Sequence, residues 1–98
     1  MAAAEPNHDR PRVFGFLLSP RFSMMCFASA IEPLRAANRL AGRELYRWHL
    51  YSADGDPVVA SNGISVLPDA RIGDERHLDG VFVCGGIDAH GFDDERAL

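Results

Sequence analysis

Val13-Phe14-Gly15-Phe16-Leu17-Leu18 is apolar at every position and does not alternate with polar residues. A strand with one face in water alternates with period two. An unbroken run suits a strand covered on both faces, the usual condition of a parallel sheet. Asp79-Gly80-Val81-Phe82-Val83-Cys84 repeats the pattern and stops abruptly at Gly85-Gly86. Parallel strands cannot be joined by a tight hairpin, so the chain between the two runs must supply crossover elements.

A helix follows the first run. Met24, Phe27, Ile31, Leu34 and Ala37 recur at three- and four-residue spacing, which predicts an amphipathic helix reaching about Leu40. Ser23 is placed to cap its start and Gly42 to close its end. Pro33 lies inside the pattern, lacks an amide proton, and is expected to kink the helix or divide it in two. Glu32 and Arg35, three apart, can pair on its surface. Tyr46 to Ser52 reads as a second strand, with Trp48, Leu50 and Tyr46 on one side. Asp54-Gly55-Asp56 and Ser61-Asn62-Gly63 are turn signals. Pro57 to Ala60 and Ile64 to Leu67, set around them, predict a small hairpin at the sheet edge. Asp69 to Leu78 is expected to hold a helical turn.

The order of strand, helix, strand, hairpin and strand is the beginning of a doubly wound, mostly parallel α/β sheet. Such sheets need more helices than the single one found here, so these residues are expected to form the N-terminal part of a larger fold. Residues 1–11, broken by Pro6 and Pro11, read as a flexible tail, and 12–98 as one unit.

Charge narrows the function classes. The net charge is −4 and all 10 cationic residues are arginine. That gives no basic surface for nucleic acid and excludes a catalytic lysine. The longest apolar run, Met24 to Ile31, is far short of the ~18 residues of a membrane span. Two cysteines are too few for a disulfide framework, and no secretory leader is visible, so a cytoplasmic protein without a membrane contact is expected.

In open α/β sheets, ligands bind beyond the carboxyl ends of the strands, where strand order reverses. Two segments reach that edge, Ser19 to Phe22 and Gly85 to Ile87. Gly85-Gly86 is either a tight exit from a strand or a loop that turns bare amides towards a bound oxygen. It lacks the glycine spacing of a dinucleotide fingerprint, and no phosphate-binding loop is present. Cys26, in the first helical turns, is either a reactive thiol near a helix N-terminus or a small buried apolar residue. The second role is the expectation adopted for it and for Cys84. His8, His49, His77 and His90 show no metal-ligand spacing, and Asp88, Asp93, Asp94 and Glu95 read as a solvated face. No catalytic residue, metal site or cofactor is expected in this segment.

Phe22-Ser23 and then Ala30-Ile31-Glu32-Pro33-Leu34-Arg35-Ala36-Ala37-Asn38-Arg39-Leu40 resemble the first helix of the GlxA-type regulators. These are AraC-family proteins whose N-terminal domain is similar to PfpI-type proteases and class I glutamine amidotransferases. Tyr46-Arg47-Trp48, Ser52-Ala53-Asp54-Gly55, Val58 to Gly63, and Asp79 to Gly86 match the family's next elements. The resemblance covers about residues 12–87. It implies a flavodoxin-like domain that senses a small-molecule effector, an amine or amino-acid derivative. It also implies a separate C-terminal pair of helix-turn-helix units, absent from this chain, through which DNA is bound, and is compatible with a homodimer.

In the enzymes of that superfamily an acidic residue on the first helix supports a cysteine nucleophile that lies beyond the Gly-Gly loop. Here that position falls at or near Cys26. The departure favours a site that binds rather than reacts, with Phe22, Cys26, Gly85, Gly86 and Ile87 as its ligand-binding residues. The alternative is a cysteine-dependent amidase or PfpI-type hydrolase whose nucleophile lies beyond Leu98.

Overall fold

The computed structural model describes residues 10–74 and 77–85. Seven elements run in the order β1 (Arg12–Leu18), α1 (Met24–Ala41), β2 (Tyr46–Ser52), β3 (Val58–Val59), β4 (Ser65–Val66), β5 (Ala70–Arg71) and β6 (Gly80–Cys84). Four of the strands form one sheet in the order β5-β2-β1-β6, and all its pairings are parallel. The unalternating β1 is thus a central strand, hydrogen-bonded on both sides. Its register sets Phe16 beside Leu50 and Phe82, and Leu18 beside Cys84.

Every second residue of β1 faces α1. Phe16 and Leu18 are almost wholly inaccessible there, and Phe22, Val58, Ala60 and Cys84 complete the buried cluster. Trp48, Leu50, Met24, Phe27, Ile31 and Leu34 pack around it. Aromatic contacts stitch the layers together. The Phe16 ring stacks on Phe82 at 4.9 Å and meets Phe27 edge-on at 5.7 Å. Each fully buried phenylalanine is worth about 1.5–3 kcal/mol in transfer from water.

On the opposite face the Tyr51 ring and Leu78 lie directly over Gly15. A Cβ at Gly15 would stand 2.8 Å from the Tyr51 ring and 2.9 Å from the Leu78 side chain. Only glycine allows that close cover.

The ends of α1 follow the expected chemistry. The Ser23 hydroxyl accepts the Cys26 amide at 3.2 Å. Gly42 adopts a left-handed conformation, and the amides of Gly42 and Arg43 return to the carbonyls of Arg39 and Asn38. Those two return bonds are a Schellman closure. The Glu32–Arg35 pair forms at 2.6 Å.

Three expectations are corrected. Of the kink or division expected at Pro33, division does not occur, and α1 runs as one helix from Met24 to Ala41. The single amide bond lost there is outweighed by the apolar face of Phe27, Ile31 and Leu34 docking on the sheet. The expected hairpin forms, as a separate antiparallel pair β3–β4, with Val58 and the adjoining Ala60 in the core. Within the expected helical turn of 69–78, the described residues 69–74 yield the short strand β5 instead, because the Asp69 and Ile72 amides bond β2 carbonyls. Finally, β6 is not buried on both faces. Val81 and Val83 are 49% and 69% exposed, since no described residue packs over that side of the edge strand.

Side-chain clamps define the amino end of the sheet. Asn38 Oδ1 accepts the amides of Leu45 and Tyr46 at 2.7 and 2.9 Å, and its Nδ2 donates to the Tyr46 carbonyl at 3.0 Å. One residue therefore closes the helix with its carbonyl and starts β2 with its side chain. Asp79 does similar work for β6. Its carboxylate accepts the Val13 amide at 2.7 Å, and its own amide donates to the Val13 carbonyl at 2.6 Å.

Candidate functional site

The chain leaves β1, builds β2 and β5 on one side of it, and returns with β6 on the other. Strand order therefore reverses between β1 and β6. In open α/β sheets the crevice at the carboxyl ends of such a strand pair is where ligands bind. The segments that emerge there are Ser19 to Ser23 and Gly85.

Main-chain hydrogen bonds hold these segments. The Ser19 amide donates to the Cys84 carbonyl at 3.1 Å and the Ser23 amide to the Gly85 carbonyl at 2.9 Å. On its other side the loop is bound to the hairpin. The Arg21 amide donates to the Val59 carbonyl at 2.8 Å, and the Phe22 carbonyl accepts the Ser61 amide at 2.9 Å. Between these anchors Arg21 sits at φ 61°, the one described non-glycine residue with positive φ. A side chain in that region costs roughly 1–3 kcal/mol and persists only where the surroundings over-determine it. The flanking bonds provide that constraint.

The residues expected to form the site are distributed as follows. Phe22 is fully buried, its ring edge-on to Phe27 at 5.9 Å. It supports the loop from below, and its main chain is bonded to Ser19 and Ser61. Cys26 is exposed, which corrects the expectation of a buried apolar role. Ser23 has turned the helix start outward, so the third helical residue falls on the solvent side. Cys84 is buried as expected, facing the α1 layer. Burial first, and the neighbouring Cys26 second, push its thiol above the ordinary value. Gly85 lies beside Ser23. Gly86 and Ile87 lie outside the described residues, as do His8, His90 and the acidic residues from Asp88 to Glu95.

A cleft of about 280 Å³ opens at the same end of the sheet, on the side of β2. Leu18, Pro20, Arg21, Ser52, Asp54 and Val58 are among its walls. Ser52 is buried, and its hydroxyl donates to the Asp56 carbonyl at 2.9 Å. Asp54 accepts the Asp56 amide at 3.0 Å. Sequence reading treated Asp54-Gly55-Asp56 as a turn and missed that its acid returns to the cleft. The one signal was its place directly after β2, at the carboxyl end. A second cleft, of about 250 Å³, lies on the other face between His49, Tyr51, Asp69, Asp74 and His77. Among the described residues no group of three or more His, Cys, Asp or Glu is placed to hold a metal ion. No helix among them is long and apolar enough to cross a membrane.

No protein-family profile matches the chain. It is 50% identical over 82 residues to the HTH-type transcriptional regulator GbdR of Pseudomonas aeruginosa, covering 84% of this chain and 22% of that protein. It is 43% identical over 86 residues to the HTH-type transcriptional regulator GlxA of Rhizobium meliloti, covering 88% of this chain and 26% of the relative. The chain thus spans about a quarter of the length of these curated relatives or less. Among solved structures, an AraC family transcriptional regulator from Pseudomonas putida superposes with a TM-score of 0.71 at 30% identity, covering 79% of this chain and 42% of that one. A DJ-1 superfamily protein from Agrobacterium tumefaciens gives 0.59 at 23% identity, covering 81% and 40%, and shares the fold. By sequence the chain is similar to HTH-type, AraC-family transcription regulators, GlxA among them, and its parallel sheet has the flavodoxin-like α/β fold seen in the DJ-1 superfamily protein.

Proposed function

We propose that residues 12–98 belong to the small-molecule-sensing domain of a DNA-binding transcription regulator, and that this domain is not catalytic. The reading rests above all on the reversal of strand order between β1 and β6. It brings the Ser19–Ser23 loop and Gly85 side by side, at the end of the sheet where such folds take ligands. Cys26, Gly85, Gly86 and Ile87 contact the effector, with Phe22 as the support beneath the loop. The effector is an amine or amino-acid derivative. DNA is contacted through a helix-turn-helix part and not through this acidic segment, and the regulator acts in the cytoplasm as a homodimer.

The exposed thiol at the start of α1 supports a binding role over hydrolysis. The family resemblance implies that Cys26 stands at or near the position where the superfamily's enzymes place a supporting acid. The test uses the full-length regulator. A panel of amines and amino-acid derivatives is screened by thermal shift, and positives are assayed for altered binding to the regulator's own promoter. At least one compound should raise Tm and change DNA affinity, and Cys26→Trp should abolish both responses. Cysteine-dependent turnover of amide substrates, with no shift by any compound, would establish the hydrolase reading in its place.

A further inference from the structure

Two acceptor oxygens lie side by side in the wall of the cleft beyond the carboxyl end of β2. Ser52 is the last residue of that strand and only 2% exposed. Its hydroxyl carries one proton, which goes to the Asp56 carbonyl at 2.9 Å. Asp54 Oδ1 stands 3.5 Å from the same hydroxyl oxygen and accepts the Asp56 amide at 3.0 Å. One proton cannot serve both partners of Ser52. The Ser52 lone pairs therefore stand beside the Asp54 carboxylate, and among the described residues no donor bridges them. A buried hydroxyl oxygen next to an anion, each with acceptor capacity unfilled, calls for a donor from outside. The bond from the Asp56 amide holds the carboxylate in place before any ligand arrives.

The cleft, of about 280 Å³, limits what that donor is. The buried side chains of Leu18 and Val58, with Pro20 and Pro57, give it an apolar wall. Such a wall suits a short alkyl body. No group of three or more His, Cys, Asp or Glu among the described residues is placed to hold a metal ion. Arg21 also lines the cleft, so attraction rests on the two aimed acceptors and not on a uniformly negative field. We propose that Ser52 and Asp54 form the acceptor pair of a binding site for a small primary alkylammonium, its alkyl body on the Leu18 and Val58 wall. A primary ammonium carries three N–H donors on one atom and reaches both oxygens at once. The site lies apart from Cys26 and Gly85 and does not rest on their reading as effector contacts.

The test titrates the full-length protein with n-butylammonium and with n-butyltrimethylammonium, which has the same chain and charge but no N–H. Binding is read by thermal shift and by saturation-transfer NMR on the probe. Butylammonium should bind and raise Tm, and the trimethyl ion should do neither. Asp54→Asn keeps an oxygen for the Asp56 amide but loses the charge, and should weaken butylammonium binding by roughly tenfold or more, the usual worth of a hydrogen bond to a charged group. Ser52→Ala should weaken it as well, and the Asn variant decides if the Ala variant does not fold. Binding should survive in Cys26→Trp, which separates this site from the effector contacts proposed above. Equal binding of the two ions would overturn the inference, since plain charge or apolar contact would then suffice. Undiminished binding in Asp54→Asn, or no binding of butylammonium to the wild type, would overturn it too, the second leaving the pair to water alone.

Discussion

The two ends of the sheet are held by different parts of the chain. At the amino end side chains add to the main-chain bonds from Arg12 to Leu45 and from Asp79 to Val13. Asn38 binds three main-chain groups at the start of β2, and the Asp79 carboxylate joins the start of β6 to Val13 of β1. At the carboxyl end the bonds that tie the Ser19–Ser23 loop to β6 and the hairpin are main chain to main chain, from Ser19 to Cys84, Ser23 to Gly85, Arg21 to Val59 and Ser61 to Phe22. A clamp made by a side chain demands one residue type. A clamp made by amides and carbonyls demands only a path. The amino end therefore uses residue identity to hold the strands, and the loop at the carboxyl end leaves residue identity free of that task. This division agrees with the general placing of α/β ligand sites at carboxyl ends.

The comparison predicts its own exceptions. Phe22 is the residue of the Ser19–Ser23 loop whose side chain is wholly committed to the core. Phe22→Ala should lower stability by about 3–5 kcal/mol, the usual cost of deleting a buried phenylalanine. The urea midpoint checks this. A loss below ~1 kcal/mol would mean that the main-chain stitching alone holds the loop.

Next in size is Asn38→Ala. The change leaves two amides and a carbonyl to partly buried surroundings, at about 1–3 kcal/mol. Hydrogen exchange should quicken at Leu45 and Tyr46 before it does so elsewhere in β2. Uniform quickening across the sheet would contradict a local clamp.

Arg21→Gly probes the opposite end and should act the other way. Glycine accepts positive φ without steric cost, so relief of strain should raise the unfolding midpoint or leave it unchanged. Effector response should fall in the same variant if the Arg21 side of the cleft serves recognition. A lowered midpoint would show that contacts of the guanidinium outweigh the backbone strain.

The two ends were unequally legible in the sequence. The apolar run of β1, the spacing of Met24, Phe27, Ile31 and Leu34, and the caps Ser23 and Gly42 are local signals, and the fold class follows from them. Strand order is not local. That β6 returns beside β1 and not beside β5 depends on pairings distant in sequence, as does the exposure of Val81 and Val83. The clamps were hidden for the same reason. Asn38 reads as one more polar helix residue until the chain turns back at Gly42 and brings Leu45 within reach of its amide. Asp79 reads as the head of a strand until Val13 lies opposite. The left-handed Arg21 carries no composition signal at all, since the hairpin, and not the residue type, imposes it.

The mildest prediction concerns Asp79 and is resolved by pH. The Val13 amide first, and His77 at 3.1 Å second, hold its carboxyl below the usual range. A depressed value in the folded state means that the unfolded chain takes up the proton more readily. The contribution of Asp79 is therefore fully present above the ordinary aspartate value near ~4, and is lost as pH falls through the lower folded value. Asp79→Asn keeps an oxygen to accept the Val13 amide but does not titrate. At neutral pH the variant should be slightly less stable than wild type, because a charged acceptor is the stronger one. The two stability curves should then converge as the pH is taken below ~4 and Asp79 is neutralised. Curves that stay parallel throughout acid unfolding would place the register of β6 in its pairing with β1 alone, and the side-chain character of the amino end would then rest on Asn38.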